Sequence, residues 1–504
     1  MPRNAHHDDF ETDLRHLMRS LNDAPALRRN RLARSLAFPG EDAQFVAALH
    51  DFVRSVLPAR SRAWQAVHGE ANGESHKNIA ARLGISERQF YRERERARAL
   101  LREALRARHY LRVVHDPAEI LADELETLHA ALEAGDVEWV LRRADDVLSA
   151  GLPPDLIRAF AALRACALAA SGRHDAAAAA LREADGADAP ASDERETEFA
   201  AAYVLAAQGR HREALAHAER AAEPRTGDDV DDRGRRSAAR RLCLLGNLHQ
   251  EYCDPARALG VLETARQALL ACAMPPQGAL VAVQIDIAAT RLAVPDMLDQ
   301  AGDEITEAYR TAAWHDLHVQ RATAEIIGEL AVLSGVTAAR ATSRPAGAPL
   351  DVAGMRGHAA GRMHLLSSRL RSARDDSRGA LRSVQAARRS IPGAHYLAKF
   401  ADLREAEALL CAGEPHAALP LALAAVDGVS LGGASHYGGS AHVAAARALH
   451  LLGRTGAARE HCEAGVERMR RGALVVDLSR ALRLALRLTG DVRYADAERA
   501  LLLR

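Results

Sequence analysis

The sequence predicts an all-α protein, in which an N-terminal helical module is followed by a long array of helical hairpins. Three observations carry that prediction. Alanine supplies 109 of the 504 residues, aromatic residues supply 4%, and β-branched runs are scarce, a composition that favours helix over strand. A turn recurs along the chain: Gly172, Gly209, Gly413, Gly453 and Gly490 each have an alanine five residues later, at Ala177, Ala214, Ala418, Ala458 and Ala495. Charge is divided, because residues 1–114 hold 21 Lys+Arg against 14 Asp+Glu, a net of +7, and the remainder holds 46 against 53, a net of −7.

The basic surplus surrounds Ser75 to Ala99, S-H-K-N-I-A-A-R-L-G-I-S-E-R-Q-F-Y-R-E-R-E-R-A-R-A, which reads as two helices joined by a turn at Gly84. Ser86 is placed to cap the N–H of Gln89 while the Gln89 side chain reaches back to the Ser86 N–H, a capping box. Ile85 and Phe90 are spaced as a hydrophobic staple. Ile79, Ala80 and Leu83 form the apolar face of the first helix, and Gly84 supplies the left-handed conformation that ends it. At 100° per residue, a buried Phe90 brings Ala97 and Leu101 to the same side and turns Arg88, Arg92, Glu95 and Arg96 outward.

This pattern, with Gly73 and Ser75 ahead of it, resembles the helix-turn-helix of bacterial sigma-factor region 4 and of LuxR-type regulators. The resemblance covers less than a tenth of the chain. It implies that the N-terminal half of the second helix enters the major groove of double-stranded DNA, where arginine makes two hydrogen bonds to guanine. On that basis Arg88, Gln89 and Arg92 are the base-reading candidates, with Glu87 and Tyr91 at their flanks. Lys77, Arg96 and Arg98 are candidates for phosphate contacts, which position the protein without reading sequence. One residue departs from the pattern: Arg94 stands where those families carry an apolar side chain.

Upstream, residues 10–70 read as short amphipathic helices, with apolar positions at Leu14, Leu17 and Leu21, then Phe45, Leu49, Phe52 and Val56, then Trp64 and Val67. They are too few and too poor in aromatics for a full sigma factor. Downstream of Ala99 the helical pattern runs on to about Val113, and Pro117 ends it, so the module occupies residues 1–114.

From Pro117 the glycine-anchored frame takes over. Cys253 with Ala258 fits it, and a second alanine follows at plus twelve in four copies, at Ala184, Ala221, Ala265 and Ala425. Glycine at a turn with small residues at those spacings lets two helices of a hairpin approach closely and makes a stackable unit. The array looks like degenerate tetratricopeptide repeats, best seen from Tyr203 to Ala221, forming an irregular α-α solenoid. Its expected divisions are repeats at 117–222, a charged loop at 223–238 built on Glu223 to Arg236, repeats at 239–336, a linker at 337–358 covering Thr337 to Leu350, and repeats at 359–504. Gly428 to Gly439 reads as a glycine-rich loop or groove lining.

Catalytic and cofactor motifs are missing. Neither lysine belongs to a phosphate-binding loop, since Asn78 follows Lys77 and Phe400 follows Lys399. The nucleophile elbow fails at Gly433 to Tyr437, where its last glycine is tyrosine. His315 and His318, three apart on an expected helix, and His461-Cys462-Glu463 lack the remaining ligands of a zinc site. The six cysteines are scattered, as free core thiols of a cytosolic protein would be, and no apolar run approaches membrane-spanning length. The expectation is therefore a non-enzymatic cytoplasmic transcription regulator without cofactor, in which the module binds DNA and the repeats bind a protein or peptide partner or mediate self-association. The alternative is a repeat scaffold whose N-terminal helices bind protein, for example RNA polymerase, rather than DNA.

Overall fold

The computed structural model describes residues 14–23, 26, 27, 30, 33, 42–58, 61–114, 117–149, 154–185, 194–224, 231–251, 254–273, 275–315, 317–336, 355–430 and 435–502. Every regular element among them is helical, and they fall into two compact units, Met1–Glu124 and Leu125–Arg504. No helix among the described residues is long and apolar enough to cross a membrane.

In the first unit, helices α1 (Asp42–Val56), α2 (Arg62–Ala71), α3 (His76–Leu83) and α4 (Glu87–Val114) follow a helical segment at 14–19. Leu14, Leu17, Leu21, Leu49, Trp64, Val67, Ala97 and Leu101 share one core, and Phe52 and Val56 pack against it half-buried. The Phe45 side chain lies outside the described residues. Ala66, Ile79, Ala80 and Phe90 form a second cluster, against which Leu83 and Ile85 pack. Helix α4 runs to Val114 as its uninterrupted pattern required, and α5 (Pro117–Glu133) starts on the proline, whose missing N–H costs nothing in a first turn.

The second unit continues with α6 (Val137–Leu148), α7 (Pro154–Ala170), α8 (His174–Asp185), α9 (Glu194–Ala207), α10 (His211–Ala222), α11 (Asp232–Glu251), α12 (Pro255–Leu270) and α13 (Gln277–Arg291). After a 3-10 turn come α14 (Leu298–Trp314), α15 (His318–Leu333), α16 (Gly357–Ala373), α17 (Ser377–Ser390), α18 (Leu397–Cys411), α19 (Pro415–Ser430), α20 (Ser435–Leu451), α21 (Thr455–Met469), α22 (Val475–Thr489) and α23 (Val492–Leu502). Most pack as sequential hairpins. Helices α7, α9, α11, α13 and α15, and then α16, α18, α20 and α22, also touch the next-but-one helix within their run, which makes them the inner layer of the stack.

The glycine frame has a direct geometric reading. Gly172, Gly209, Gly413, Gly453 and Gly490 all adopt positive φ between two helices, the region open to glycine at little cost. Ala177, Ala214, Ala258, Ala418 and Ala458 are fully buried, as are Ala184, Ala265 and Ala425, and Ala221 is nearly so. Ala495, in the last helix, is half-buried, and Cys253 lies outside the described residues. Two copies of the frame went unseen in the sequence. Gly135 turns in the same way and is followed by buried Val140, and Asp375 takes φ +60° ahead of buried Ala380 and Ala387.

Three sequence expectations need correction. Helix α11 begins at Asp232, inside the expected charged loop, because Asp231 accepts the Gly234 N–H at 2.7 Å and acidic residues favour a helix N-terminus. Residues 225–230 lie outside the described set. Gly428 belongs to α19, and Gly438 and Gly439 to α20, where a Cβ on Gly439 would come within 2.5 Å of Met469 Cγ, so Gly439 serves close helix packing. Of the expected linker at 337–358, residues 337–354 lie outside the described set, and its last two residues already belong to α16, which starts at Gly357.

The stack returns on itself. His174 is hydrogen-bonded with the Ala394 carbonyl at 2.9 Å, and Arg356 faces Asp136 at 3.5 Å, both across 220 residues of chain. The Arg356 N–H donates to Ala134 O at 3.1 Å, the Tyr396 N–H to Ala207 O at 2.9 Å, and the Val475 N–H to Leu292 O at 3.2 Å. Three repeat-turn glycines sit at this seam: an added Cβ would lie 2.0 Å from Arg356 O at Gly135, 3.0 Å from Pro392 at Gly172 and 3.2 Å from Tyr396 at Gly209.

Candidate nucleic-acid interface

The local structure of α3 and α4 follows from their caps. Ser75 Oγ accepts the Asn78 N–H at 3.3 Å, and Ser86 Oγ accepts the Gln89 N–H at 3.2 Å. The return bond of the capping box, from the Gln89 side chain to the Ser86 N–H, is not formed. Gly84 has φ +64°, and the Ile85 N–H donates to Ala80 O at 3.0 Å, which closes α3 and aims the chain into α4. Phe90 is fully buried and Ile85 packs beside it, as the staple requires.

The arginines of α4 divide into two populations. Arg94 and Arg98 turn back toward protein carboxylates: Arg94 meets Glu70 of α2 at 3.2 Å, and Arg98 meets Glu95 at 2.9 Å. The Glu70 side chain is 8% exposed and also holds His76 at 2.7 Å, so Arg94 takes its unusual place by neutralising a nearly buried carboxylate. Its guanidinium also lies 5.0 Å from the Tyr91 ring centroid. The departure from the expected apolar residue is thus compensated by a charge on the neighbouring helix.

Arg88 and Arg92 are exposed, and neither forms an ion pair among the described residues. Glu87, Tyr91, Arg96 and Lys77 are exposed as well, whereas Gln89 and Arg98 are half-buried. The residues turned outward by helical phase, Arg88, Arg92, Glu95 and Arg96, are all exposed, together with Glu87, Tyr91, Ala99 and Leu100. Of the candidate phosphate contacts, Arg98 is engaged with Glu95.

A second polar surface escaped the sequence reading. It lies on the inner helices of the repeat unit: Tyr203 on α9, Arg240, Asn247 and Glu251 on α11, Asp286 on α13, Arg362 on α16, Tyr396 at the start of α18 and Tyr437 on α20. Arg362 is exposed, and its charge is favoured by Asp286, the Tyr437 and Tyr396 hydroxyls and Glu251 against the burial of its surroundings. Burial also pushes Glu251 and Glu133 up to about 7, with Arg362 and Arg240 respectively pulling the other way, and it raises Asp286. Glu251 Oε2 and Asn247 Oδ1 are buried without a hydrogen-bond partner among the described residues. The helical spacing of 240, 247 and 251 was legible, but a polar stripe on a helix ordinarily means an outer face, and only the stacking direction reverses that meaning.

The histidines singled out by their spacing lie on separate elements. His315 follows the end of α14 and His318 opens α15, so they do not share the helix their spacing suggested. His461 is hydrogen-bonded with His442 of α20, Nδ1 to Nδ1 at 3.0 Å, and the neighbouring Cys462 is fully buried. Among the described residues no group of three or more His, Cys, Asp or Glu is placed to hold an ion.

No protein-family profile and no curated protein sequence matches the chain. Among solved structures it is similar to a Rap protein complexed with competence and sporulation factor, at 11% identity and TM-score 0.39, over 75% of this chain and 98% of that one. It is also similar to yeast Tom70, at 13% identity and TM-score 0.31, over 81% of this chain and 96% of that one.

Proposed function

We propose that the chain is a transcription regulator that reads double-stranded DNA through the N-terminal half of α4, with a helical-repeat body that binds a protein or peptide partner or mediates self-association. The observation that carries this reading is the pair of exposed, unpaired guanidiniums of Arg88 and Arg92, one helical turn apart on a capped and stapled helix. Arginine makes paired hydrogen bonds to guanine O6 and N7 when a helix enters the major groove. Lys77 and Arg96 stand beside them for phosphates, and the repeat unit contributes binding rather than catalysis. The test is a fluorescence-polarisation titration of the full chain against duplex DNA at several salt concentrations. Affinity that falls linearly on a log–log plot as salt rises supports the reading, and no salt-dependent binding overturns it.

A second reading has its own observation. Tyr91 and Leu100 on the same helix are 42% and 39% exposed, apolar area suited to a protein partner such as RNA polymerase. Alanine at both positions would abolish capture of the polymerase if α4 docks on protein, and would leave it unchanged if α4 docks on DNA.

A further inference from the structure

Histidines gather where the stack closes on itself. His174, which opens α8, donates its Nε2–H to Ala394 O at 2.9 Å. Beside that bond the His395 and His358 rings lie stacked, with centroids 5.6 Å apart and planes 18° from parallel. His395 is buried, and its Nδ1 accepts the Leu397 N–H at 3.2 Å. A ring nitrogen that accepts a hydrogen bond carries no proton, so this bond requires the neutral ring. Tyr396, between those two residues, gives its own N–H to Ala207 O at 2.9 Å, one of the bonds that close the seam. His358 Nδ1 is buried without a hydrogen-bond partner among the described residues, so a proton placed there would meet no acceptor.

The groups around the two rings also oppose a positive charge. His358 and His174 act on His395, and Arg362, one turn along α16, acts on His358. His211 of α10 packs edge-on against Tyr396, with centroids 4.8 Å apart. Two further seam arginines are already paired, Arg173 with Glu138 at 3.1 Å and Arg356 with Asp136 at 3.5 Å. We propose that the seam is an acid-sensitive latch, closed while His395 and His358 are neutral and released when they take up protons, which frees the hairpins that turn at Gly135, Gly172 and Gly209. Burial, the largest influence, pushes His395 from 6.5 down to about 3 and His358 down to about 4. A histidine whose pKa is lowered by closure supports closure above its ordinary value and withdraws that support as pH falls below 6.5. Going from pH 7.5 to 5.5 therefore raises the open population about tenfold for each ring, or about a hundredfold for the pair. The latch uses none of the residues that carry the DNA reading.

The experiment is hydrogen exchange on the full chain, read by mass spectrometry at pH 7.5 and 5.5, with each rate divided by the intrinsic chemical rate at that pH. Segments 130–137, 204–211 and 392–400 report on the seam. Segments 409–418 and 449–458 are internal references, since an added Cβ at their turn glycines, Gly413 and Gly453, would meet nothing within 4 Å. Between the two pH values the seam segments lose protection by about a hundredfold while the references keep theirs. In the double variant His395→Asn with His358→Phe, the asparagine oxygen still accepts the Leu397 N–H and the phenyl ring still stacks, but neither takes a proton. Its seam keeps the same protection at both pH values. The latch is overturned if the unmodified chain keeps its seam protection at pH 5.5, if seam and references lose protection together, or if the double variant loses it as the unmodified chain does. The first two comparisons need no variant, so a substitution that fails to fold does not shield the idea.

Discussion

Arg88 on α4 and Arg362 on α16 are both water-accessible guanidiniums without an ion pair among the described residues, and they differ in what surrounds them. Around Arg88 there is open surface and other exposed cations, so its charge is solvated and costs little. Around Arg362 the burial of its surroundings opposes the charge, and Asp286, the Tyr437 and Tyr396 hydroxyls and Glu251 outweigh it. The same side chain therefore has different company: in the open it offers attraction to a large polyanion, and on α16 its charge is supported by acidic groups of the repeat unit itself.

The strongest test of the contrast removes the open charges. Arg88→Ala with Arg92→Ala should weaken DNA binding by about a hundredfold or more, from two base contacts of about 1–3 kcal/mol each, while unfolding free energy stays within about 0.5 kcal/mol. A large loss of stability, read by urea denaturation, would mean that these arginines are not free in the sense argued. Next in size is a pair of glycine variants that repeats the open-against-enclosed comparison in the backbone. Gly135→Ala places a Cβ 2.0 Å from Arg356 O at φ +82°, and should cost about 3 kcal/mol or more. Gly453→Ala, at φ +75° with nothing within 4 Å, should cost only the backbone strain of about 1–2 kcal/mol, and equal melting temperatures for the two variants would break the comparison.

Smaller effects test the enclosed charge itself. Glu251 is raised from 4.5 to about 7 by burial, with Arg362 pulling the other way. A carboxyl whose pKa is raised on folding binds its proton more tightly in the folded state, so between about 4.5 and 7 stability falls as pH rises. Glu251→Gln should accordingly raise the melting temperature at pH 8, by up to about 3 kcal/mol of stability, and change it little at pH 4. The smallest effect belongs to Arg94→Leu, which removes one of two partners of Glu70 and should cost about 1–2 kcal/mol with DNA affinity nearly unchanged. A large drop in affinity would put Arg94 at the interface instead of behind it.

Local chemistry was legible and enclosure was not. The caps at Ser75 and Ser86, the staple of Ile85 on Phe90, the turn at Gly84 and the buried phase of Ala97 and Leu101 all depend on residues within two turns of each other, which is the range over which sequence pattern acts. The repeat frame was legible for the same reason, and it failed at Asp375 because the left-handed turn there is carried by a residue other than glycine. Arg94 looked anomalous because its partner Glu70 lies on another helix. The company of Arg362 was invisible altogether: Glu251, Asp286 and Arg362 come from three hairpins, and only the closing of the stack brings them within electrostatic reach of one another.

That closing changes how the repeat unit must unfold. An open solenoid behaves as a one-dimensional chain in which each repeat leans on its neighbours and the ends fray first. Here the turns at Gly135, Gly172 and Gly209 are clasped by residues from 356 to 396, and Val475 is tied to Leu292. The first hairpins are thus not a free end, and forming them requires chain about two hundred residues away, so long-range closure comes before their stability is complete. Removing residues 356–396 from this molecule would therefore loosen hairpins far from the cut, which trimming an open solenoid would not do.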